Sequence, residues 1–306
     1  MRAVRNTDAG IQVLDVPEPS IDGVSIRVAS SGICGSDLHM LGFGPMPFTL
    51  GHEVGGILDD GTPVAMWPSR PCGTCDRCQA GFPTQCRTGF TTVYGATGGD
   101  GGMADAVTVE QRCIVALPAG VAPGDACLVE PIACSVHALR GQVSAGDRVA
   151  VVGAGSIGLG AAAVARWCDA TVDVVARHDH QARAAAAFGA GAAGDGEYDV
   201  VVDGAGTSGS VADCFRLLRP GGTVVFVSTA WEPVEFPMFF SSKEPTIVSG
   251  QTHEPRDMAD AAQLLADLPE VAPALITHRL PLDRAADAFR IAADRKAGAI
   301  KVVLEP

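Results

Sequence analysis

The pattern of apolar and polar positions divides the chain into two parts. Up to about residue 125, short apolar runs such as "VSIRVASSG", "TPVAMWP" and "ADAVTV" alternate with turns that contain Gly or Pro. Runs of this kind, with period-two patterning, predict the short strands of a β-rich or barrel-like domain. From about residue 128, apolar strands such as "DRVAVVG" and "YDVVVDG" alternate with Ala-rich segments at 161–168, 181–188 and 208–219. This second pattern predicts a parallel sheet with crossover helices.

The end of the chain returns to the first kind of pattern. The stretch "HRLPLDRAADAFRIAADRKAGAIKVVLEP" predicts a turn, an amphipathic helix and a closing strand. We therefore expect an α/β protein in which residues 1–127 and 275–306 form the β-rich domain. Residues 128–274 then form the domain with the doubly wound parallel sheet.

Composition and charge narrow the class of function. The chain of 306 residues has a net charge of -13 and no block of Lys or Arg, which argues against a nucleic-acid partner. Its longest apolar run, residues 149–165, is shorter than a membrane span and contains four glycines. The N-terminal residues lack the apolar region of a secretion signal, so we expect a cytoplasmic protein without a membrane segment. In a reducing cytosol, the ten cysteines are better interpreted as metal ligands than as disulfides.

Four cysteines stand close together in "CGTCDRCQAGFPTQC", with the spacing C-x2-C-x2-C-x7-C. This spacing predicts one tetrahedral site in a lobe at residues 70–90, in which four thiolates close every coordination position. Zn²⁺ is favoured over an iron–sulfur cluster because neither ferredoxin spacing is present. A closed site has no position for a substrate, so the predicted role of this zinc is structural; its ligands are Cys72, Cys75, Cys78 and Cys86.

The stretch "VAVVGAGSIGLGAAA" carries the pattern G-x-G-x-x-G between a β-branched strand and an Ala-rich helix. In that context the pattern predicts a dinucleotide-binding turn. Gly153 allows the tight turn, Gly155 lets the backbone approach a pyrophosphate, and Gly158 lets the helix pack on the sheet. Backbone amides at Ser156 and Ile157 then face the phosphates. The alternative is an ordinary strand–helix turn that uses glycine for packing alone.

The end of the second strand of this domain should decide between NAD and NADP. NAD-binding proteins place a carboxylate there, whereas "VDVVARHD" puts the tip near Ala176, followed by Arg177 and His178. A cation without a carboxylate suits a 2′-phosphate, so NADP is favoured. A shift of the strand by two or three residues would restore NAD, because Asp173 and Asp179 lie on either side.

A second group of metal-ligating residue types lies in "GICGSDLHMLGFGPMPFTLGHEVGG" and "LVEPIACSVHAL". Cys34, His52 and Glu130 would supply three ligands and leave one position open, as in catalytic zinc sites, and Glu53 adjoins His52. From the spacing alone, a Cys and a His 18 residues apart are also common as ordinary core or surface residues.

The order of the motifs resembles that of the zinc-dependent medium-chain dehydrogenases. "GICGSDLH", "LGHEVGG", the cysteine cluster, "LVEPIACSVHAL" and "VVGAGSIG" follow one another along nearly the whole chain. The resemblance is closest to the branch that contains sorbitol, threonine and related polyol dehydrogenases. It implies a GroES-like β-rich catalytic domain, an inserted Rossmann domain and two zinc ions per chain.

The resemblance also implies roles for individual residues. The catalytic zinc is expected on Cys34, His52 and Glu130, with Glu53 beside the metal as an occasional ligand. Glu130 stands where the liver-type alcohol dehydrogenases have Cys, which points to the polyol branch. The substrate is then an alcohol, polyol or sugar whose hydride passes to NADP or NAD.

Three further residues receive roles from the resemblance. Ser36 is expected to accept the hydroxyl proton and His39 to pass it to solvent, and Lys301 to lie near the cofactor pyrophosphate. From the residues alone, a turn hydroxyl is the favoured interpretation of Ser36 and a surface histidine that of His39, whereas Lys301 is equally well interpreted as a solvated lysine on a strand. A homodimer or homotetramer is expected.

The chain departs from the family in two places, because the segments after "GHEVGGILDDGTPV" and within "FGAGAAGDGEYDVVV" are shortened. The second shortening leaves open whether a strand is missing. Two other functions compete with the first one: a zinc-free NADPH-dependent reductase of the same fold, and a non-enzymatic zinc module that binds other molecules through the cysteine lobe.

Overall fold

The structure is a computed structural model, and it describes residues 1–18 and 23–306. Within these residues there are fifteen strands and nine helices. The strands are β1 Arg2–Thr7, β2 Gly10–Asp15, β3 Val24–Gly32, β4 Glu53–Ile57, β5 Pro63–Met66, β6 Ala106–Val109, β7 Ile114–Ala116, β8 Arg148–Val152, β9 Thr171–Val175, β10 Gly191–Ala192, β11 Tyr198–Asp203, β12 Leu218–Phe226, β13 Thr246–Ser249, β14 Ile276–Pro281 and β15 Lys301–Glu305. The helices are α1 Gly35–Met40, α2 Asp76–Gln79, α3 Val129–Leu139, α4 Ser156–Trp167, α5 Asp179–Ala187, α6 Ser208–Leu217, α7 Pro255–Asp267, α8 Val271–Leu275 and α9 Ala285–Ala293. None of the helices in these residues is long and apolar enough to cross a lipid bilayer.

The chain forms two compact units. Unit 1 comprises Met1–Glu130, Glu254–Ala266 and Ile276–Pro306, and unit 2 comprises Pro131–His253 and Asp267–Leu275. The sequence analysis placed all of residues 128–274 in one domain, whereas most of α7 groups with unit 1 by its contacts.

Unit 1 is built on a seven-stranded sheet. Its strands follow the order β14-β15-β3-β4-β5-β7, and β6 also pairs with β3. All of these pairings are antiparallel except that of β14 with β15. The strands and α9 bury an apolar cluster that includes Leu50, Met103, Phe289 and Leu304. Because β15, β3 and β4 are neighbours, Val303, Gly32 and Glu53 stand side by side across the sheet.

Unit 2 is built on a six-stranded sheet in which every pairing is parallel. The strands lie in the order β10-β9-β8-β11-β12-β13. From β8 to β10 the chain adds strands toward one edge of the sheet, and from β11 to β13 it adds them toward the other, so the point of reversal lies between β8 and β11. The central strands are nearly continuous runs of Val, as expected for a parallel sheet that is covered on both faces. In such sheets ligands bind at the carboxyl ends of the strands, at the point of reversal.

The strands on either side of both shortened segments are present. The β4–β5 link is a tight turn in which the Leu58 amide donates to the Thr62 carbonyl at 2.9 Å. In unit 2 the strand β10 is present, and residues 193–197 lead directly to β11 without a crossover helix. Tyr198, the first residue of β11, is buried; its hydroxyl donates to Asp173 at 2.9 Å and the Arg148 guanidinium lies 4.8 Å from the centre of its ring.

Candidate metal centre and nucleotide-binding turn

Three potential metal ligands meet at one end of the sheet of unit 1. Cys34 lies two residues beyond β3, His52 directly precedes β4, and Glu53 begins β4. One ligand atom from each of these side chains lies within 4.8 Å of the other two. His52 and Glu53 are buried and Cys34 is partly exposed. A thiol, an imidazole and a carboxylate at this separation form the mixed donor set that zinc prefers.

Asp37 holds His52 from the side of its second ring nitrogen. Its Oδ1 lies 3.4 Å from Nδ1 of His52, and its Oδ2 accepts a hydrogen bond of 2.9 Å from the Cys34 amide. The hydrogen bond and the closer approach to His52 both follow from the position of Asp37 at the third residue of α1, from which an acidic side chain reaches back to the helix start. A carboxylate behind a metal-ligating histidine fixes its tautomer and orientation. Asp37 was not predicted from the sequence, although its position three residues after Cys34 was the available signal.

The electrostatic field at His52 favours a cation. Burial lowers the pKa of His52, but the Asp37 carboxylate and Cys34 outweigh burial and raise this pKa well above its ordinary value. Either a proton or a metal ion satisfies such a field. The donor set and its charge therefore fit Zn²⁺.

Lys301 is found in a different environment from the one expected from the sequence. Its ammonium is buried in unit 1 and donates to both oxygens of Glu53, at 2.7 and 2.6 Å, and to the Ile33 carbonyl at 3.1 Å. All three N–H donors are thus used within the unit, which disagrees with the expected contact to a cofactor pyrophosphate. Burial lowers the pKa of Lys301, but Glu53 reverses this effect and raises it above the ordinary value.

Glu130 lies in the first turn of α3. Its side chain is buried, and burial is the main reason that its pKa is raised to about 7. His52 lowers this pKa and Glu53 raises it, so the Glu130 carboxyl senses the same centre. Among the described residues, Glu53 is the third residue whose ligand atom lies within 4.8 Å of those of Cys34 and His52. Glu130 is not part of this group.

The two residues expected to carry a proton lie on α1. The Ser36 hydroxyl is 3.5 Å from Nε2 of His52. His39 is exposed, and its Nδ1 lies 2.9 Å from the Gly35 carbonyl oxygen. Ser36 is therefore next to the ligand cluster and His39 is open to solvent.

The cysteine lobe brings its four sulfurs together, each within 4.8 Å of the others. Helix α2 begins directly after Cys75 and carries Cys78. Amide donors point at the sulfurs, since the Cys72 amide lies 3.3 Å from Sγ of Cys86 and the Cys75 amide 3.3 Å from Sγ of Cys72.

The charges of these thiols depend on one another. Donors from Thr74 and the Cys75 amide lower the pKa of Cys72 to about 5. Loss of solvent and the neighbouring cysteines raise the pKa of Cys78 to about 12. Four thiolates thus need a cation at their centre, which a tetrahedral Zn²⁺ supplies.

The glycine turn of unit 2 connects β8 to α4. Gly153 has a φ of +99°, a conformation that L side chains rarely adopt. A Cβ at Gly158 would lie 1.8 Å from the Gly153 carbonyl oxygen, so only glycine fits there. By contrast, a Cβ at Gly155 would have no atom within 4 Å. The first and third glycines are therefore required by the fold, and the space in front of Gly155 is open. Ser156 and Ile157 form the first turn of α4, where free amides point toward a bound anion.

The loop after β11 supports this turn and was missed by the sequence analysis. The buried Asp203 accepts hydrogen bonds from the amides of Ala205 and Gly206, at 3.0 and 3.1 Å. Gly204 packs against the backbone of Gly158, because a Cβ there would lie 2.7 Å from the Gly158 Cα. The signal in the sequence was the string "DGAG" at the end of a predicted strand.

The end of β9 carries the residues expected to select the cofactor. The strand ends at Val175, and Arg177 and His178 follow as exposed residues whose amides both donate to Oε1 of Gln181, at 3.2 and 3.3 Å. Asp173 lies within the strand, and its carboxylate accepts from Tyr198. Position 173 is thus separated from the strand tip, where a ribose-binding carboxylate would be placed.

A cavity of about 530 Å³ lies between α5 and the ends of β9 and β10. Its lining is mainly apolar, with Val175, Ala176 and Ala193 among the contributors and Arg183 as a cation.

Comparisons with known proteins add to this geometry. One family model, described as the alcohol dehydrogenase GroES-like domain, matches residues 20–119, and a second, described as zinc-binding dehydrogenase, matches residues 156–267. The chain is 33% identical to L-galactonate-5-dehydrogenase of Escherichia coli (strain K12) over 313 residues, covering 90% of this chain and 89% of that protein. It is 31% identical to sorbitol dehydrogenase of Halalkalibacterium halodurans over 349 residues, covering 100% and 99%.

Among solved structures, the chain is similar to a Sinorhizobium meliloti 1021 protein described as a zinc-binding dehydrogenase and bound to NADP. The TM-score is 0.88 at 32% identity, and the match covers 100% of this chain and 99% of that one.

Proposed function

The chain belongs to the zinc-binding alcohol dehydrogenase family, and we propose that it oxidises an alcohol, polyol or sugar hydroxyl with NADP as the hydride acceptor. The observation that carries the proposal is the meeting of Cys34, His52 and Glu53 at one end of the sheet of unit 1. The names of its relatives, which include L-galactonate and sorbitol dehydrogenases, support a polyol-like substrate.

At the metal centre, Cys34, His52 and Glu130 would hold a zinc ion and leave one position for the substrate. When bound, zinc supplies a Lewis acid that lowers the pKa of a hydroxyl group. Asp37 keeps the Nδ1 side of His52 occupied, so that Nε2 is the nitrogen available for the metal.

The residues of α1 give the released proton a path. Ser36 would accept it and release its own hydroxyl proton toward His39, and its hydroxyl lies 3.5 Å from Nε2 of His52. His39, three residues later on the same helix, is exposed and can exchange a proton with water near neutral pH.

On unit 2, the turn at Gly153–Gly158 would hold the pyrophosphate against the amides of α4. Arg177 would bind the 2′-phosphate of NADP, with His178 beside it. The engagement of Asp173 by Tyr198 supports NADP over NAD, because it removes one of the two carboxylates that could accept the ribose hydroxyls.

The matched variants Cys34→Ser and Cys75→Ser test the division between a catalytic and a structural metal. We expect Cys34→Ser, like Glu130→Ala, to lose turnover and one zinc while the melting temperature is retained. Cys75→Ser should lose the other zinc and lower the melting temperature. Normal turnover in folded Cys34→Ser protein would overturn the catalytic assignment.

A substrate panel tests the reaction itself. Polyols, sugars, amino alcohols and simple alcohols are offered with NADP and with NAD, and the reduced nicotinamide is followed by its absorbance. A metal content of two zinc ions per chain is expected. Turnover that persists after removal of the zinc lost in Cys34→Ser would instead favour the zinc-free reductase, and a failure to bind either cofactor would favour the non-enzymatic module.

We further propose that the chain forms a homodimer or homotetramer in the cytoplasm. Strand β13 is at the edge of the sheet of unit 2. Large apolar side chains are exposed in β13 itself, at Ile247, and in the segment before it, at Trp231, Met238 and Phe239. An open sheet edge with apolar neighbours supports association. The ten free cysteines support a reducing compartment. Light scattering of the wild type and of Phe239→Asp should show an oligomer that the variant weakens.

A further inference from the structure

A second group of metal-ligating side chains, different from that of Cys34, His52 and Glu53, lies along α3. It comprises Glu130, Cys134 and His253, and one ligand atom from each lies within 4.8 Å of the other two. A carboxylate, a thiol and an imidazole are the same three donor types as in the first group, and all of them suit Zn²⁺. The proposed reaction gives no role to Cys134 or His253.

Helix α3 places two of these residues one turn apart. Glu130 is in the first turn and Cys134 follows four residues later, so both side chains lie on one face of the helix. Two ligands four positions apart on a helical face are the arrangement by which H-E-x-x-H helices bind zinc. Glu130 and His253 are buried, whereas Cys134 is partly exposed. The thiol side of the group is therefore open to an ion from solvent.

The segment between β13 and α7 brings His253 to Cys134, and both residues belong to unit 2. Gly250 lies against α3, since a Cβ there would be 2.5 Å from the Cβ of Ala138. Three residues later, and one helical turn nearer the start of α3, Nδ1 of His253 lies 3.3 Å from Sγ of Cys134. Thr252 is β-branched and has a φ of +63°, which is unfavourable for such a residue. The chain thus keeps a strained backbone directly before the residue that it places beside Cys134.

The separation of the sulfur and the nitrogen fits a shared ion. Zn–S and Zn–N bonds of about 2.3 and 2.0–2.1 Å at a tetrahedral angle place the two ligand atoms roughly 3.5 Å apart. The observed distance is 3.3 Å. An S–H···N hydrogen bond between Cys134 and His253 has a similar length, so a metal ion must be offered to tell the two apart.

We propose that Glu130, Cys134 and His253 form a further binding site for a thiophilic divalent cation such as Zn²⁺, in addition to the catalytic and structural ions. Glu130 is also part of the proposed catalytic set, so an ion at the further site withdraws it from that set. This consequence rests on the proposed function. We therefore expect excess Zn²⁺ to inhibit the wild type and to leave Cys134→Ser uninhibited.

The test offers Co²⁺ to the full chain in its zinc-loaded form. Co²⁺ binds such donors more weakly than Zn²⁺, so the zinc already bound is retained. The wild type should take up one further ion per chain and show the absorption of a Co²⁺–thiolate bond. Cys134→Ser and His253→Asn should each lower the Co²⁺ affinity at least tenfold. Cys168→Ser removes another partly exposed cysteine of unit 2, and this matched control should behave as the wild type.

Absence of this absorption in the wild type would overturn the inference, as would an unchanged Co²⁺ affinity in folded Cys134→Ser. If the variants do not fold, alkylation of the wild type decides, read by mass spectrometry. Co²⁺ should slow the reaction of Cys134 with iodoacetamide at least tenfold and leave that of Cys168 unchanged, and equal rates at Cys134 with and without Co²⁺ refute the site.

The variant Cys34→Ser separates the further site from the catalytic centre. The Co²⁺–thiolate absorption should persist in it, and loss of the absorption would place the ion in the first group and overturn the inference. Failure of the proposed function is distinguishable, because Cys34→Ser would then retain turnover while the effect of Cys134→Ser on Co²⁺ binding could still be measured.

Discussion

The glycine turn of unit 2 contains two glycines with different surroundings, Gly155 and Gly158. We therefore expect Ala substitutions to affect stability at one position and cofactor binding at the other. Gly158 is needed by the protein, because a Cβ there would lie 1.8 Å from the Gly153 carbonyl oxygen. Gly155 has a φ of -77°, which other residues adopt, and a Cβ there would have no atom within 4 Å. The fold itself does not require glycine at position 155, and we expect the close approach of a dinucleotide to be the reason for it.

The size of the effect at Gly158 follows from the contact. Since real Cβ atoms essentially never come within 3.0 Å of another heavy atom, α4 and the turn must separate by about 1.2 Å in Gly158→Ala. The loop at Gly204 blocks the retreat, because it already packs against the Gly158 backbone. Overpacking against rigid neighbours costs about 3 kcal/mol, at the upper end of the usual range. For a unit of this size the melting temperature should fall by roughly 10 °C.

Gly155→Ala should behave in the opposite way. Its free energy of unfolding should stay within about 0.5 kcal/mol of the wild type, as for most exposed substitutions. Its affinity for NADP should fall at least tenfold, about 1.4 kcal/mol, because the new methyl group occupies the path of the pyrophosphate. Gly209→Ala, in α6, is the matched control. Its Cβ would have Oγ1 of Thr207 as its nearest atom, at 3.9 Å, so neither the free energy of unfolding nor the NADP affinity should fall.

The assays are thermal denaturation followed by circular dichroism and calorimetric titration with NADPH, applied to all three variants. A Gly158→Ala protein with the melting temperature of the wild type would contradict the predicted overpacking. The assignment of the two glycines would equally fail if Gly155→Ala lost stability but bound NADPH normally, since the two glycines would then have exchanged roles.

Three further predictions concern other contacts. Asp37→Asn should weaken metal binding at the catalytic centre by about 10–100-fold, measured by competition with a chelator, because the histidine ligand loses its charged partner. Tyr198→Phe should lower the free energy of unfolding in urea by about 1–2 kcal/mol, since Asp173 loses a hydrogen bond of 2.9 Å. A hydrogen bond from Arg2 lowers the pKa of Asp105 below its ordinary 3.8, so the pair stabilises the folded state above that pH and the contribution is lost on further acidification. In Arg2→Met, the free energy of unfolding should therefore decrease less steeply as the pH is lowered. The difference should be small because both side chains are partly exposed.

Local patterns carried most of what could be predicted from the sequence. Four of the six parallel strands, β8, β9, β11 and β12, were indicated by their runs of Val, because each run lies within a few residues, whereas the short β10 and β13 were not predicted. The cysteine lobe was equally readable, since its four ligands fall within fifteen residues and one loop brings them together. The tip of β9 lies within one residue of its predicted place for the same reason.

Contacts between distant parts of the chain could not be predicted in this way. Lys301 and Glu53 are 248 residues apart, and nothing in "GAIKVVLEP" distinguishes a buried lysine from a solvated one. The pairing depends on the strand order β15-β3-β4, which is a property of the whole sheet. Asp37 was missed for a different reason, because an acidic residue in the first turn of a helix is usual without a metal nearby.

The contrast between the two metal centres has a physical basis. A closed site needs only four thiolates around an ion, so a short loop such as residues 72–86 suffices and the ligands are adjacent in sequence. An open site must also prevent nearby donors from filling the last position. A buried carboxylate beside such a site also needs a partner of its own, as Glu53 has in Lys301, and neighbouring strands hold the two together. The residues that surround the ligands of an open site can therefore be close to them in sequence, as Asp37 is to Cys34, or distant, as Lys301 is from Glu53.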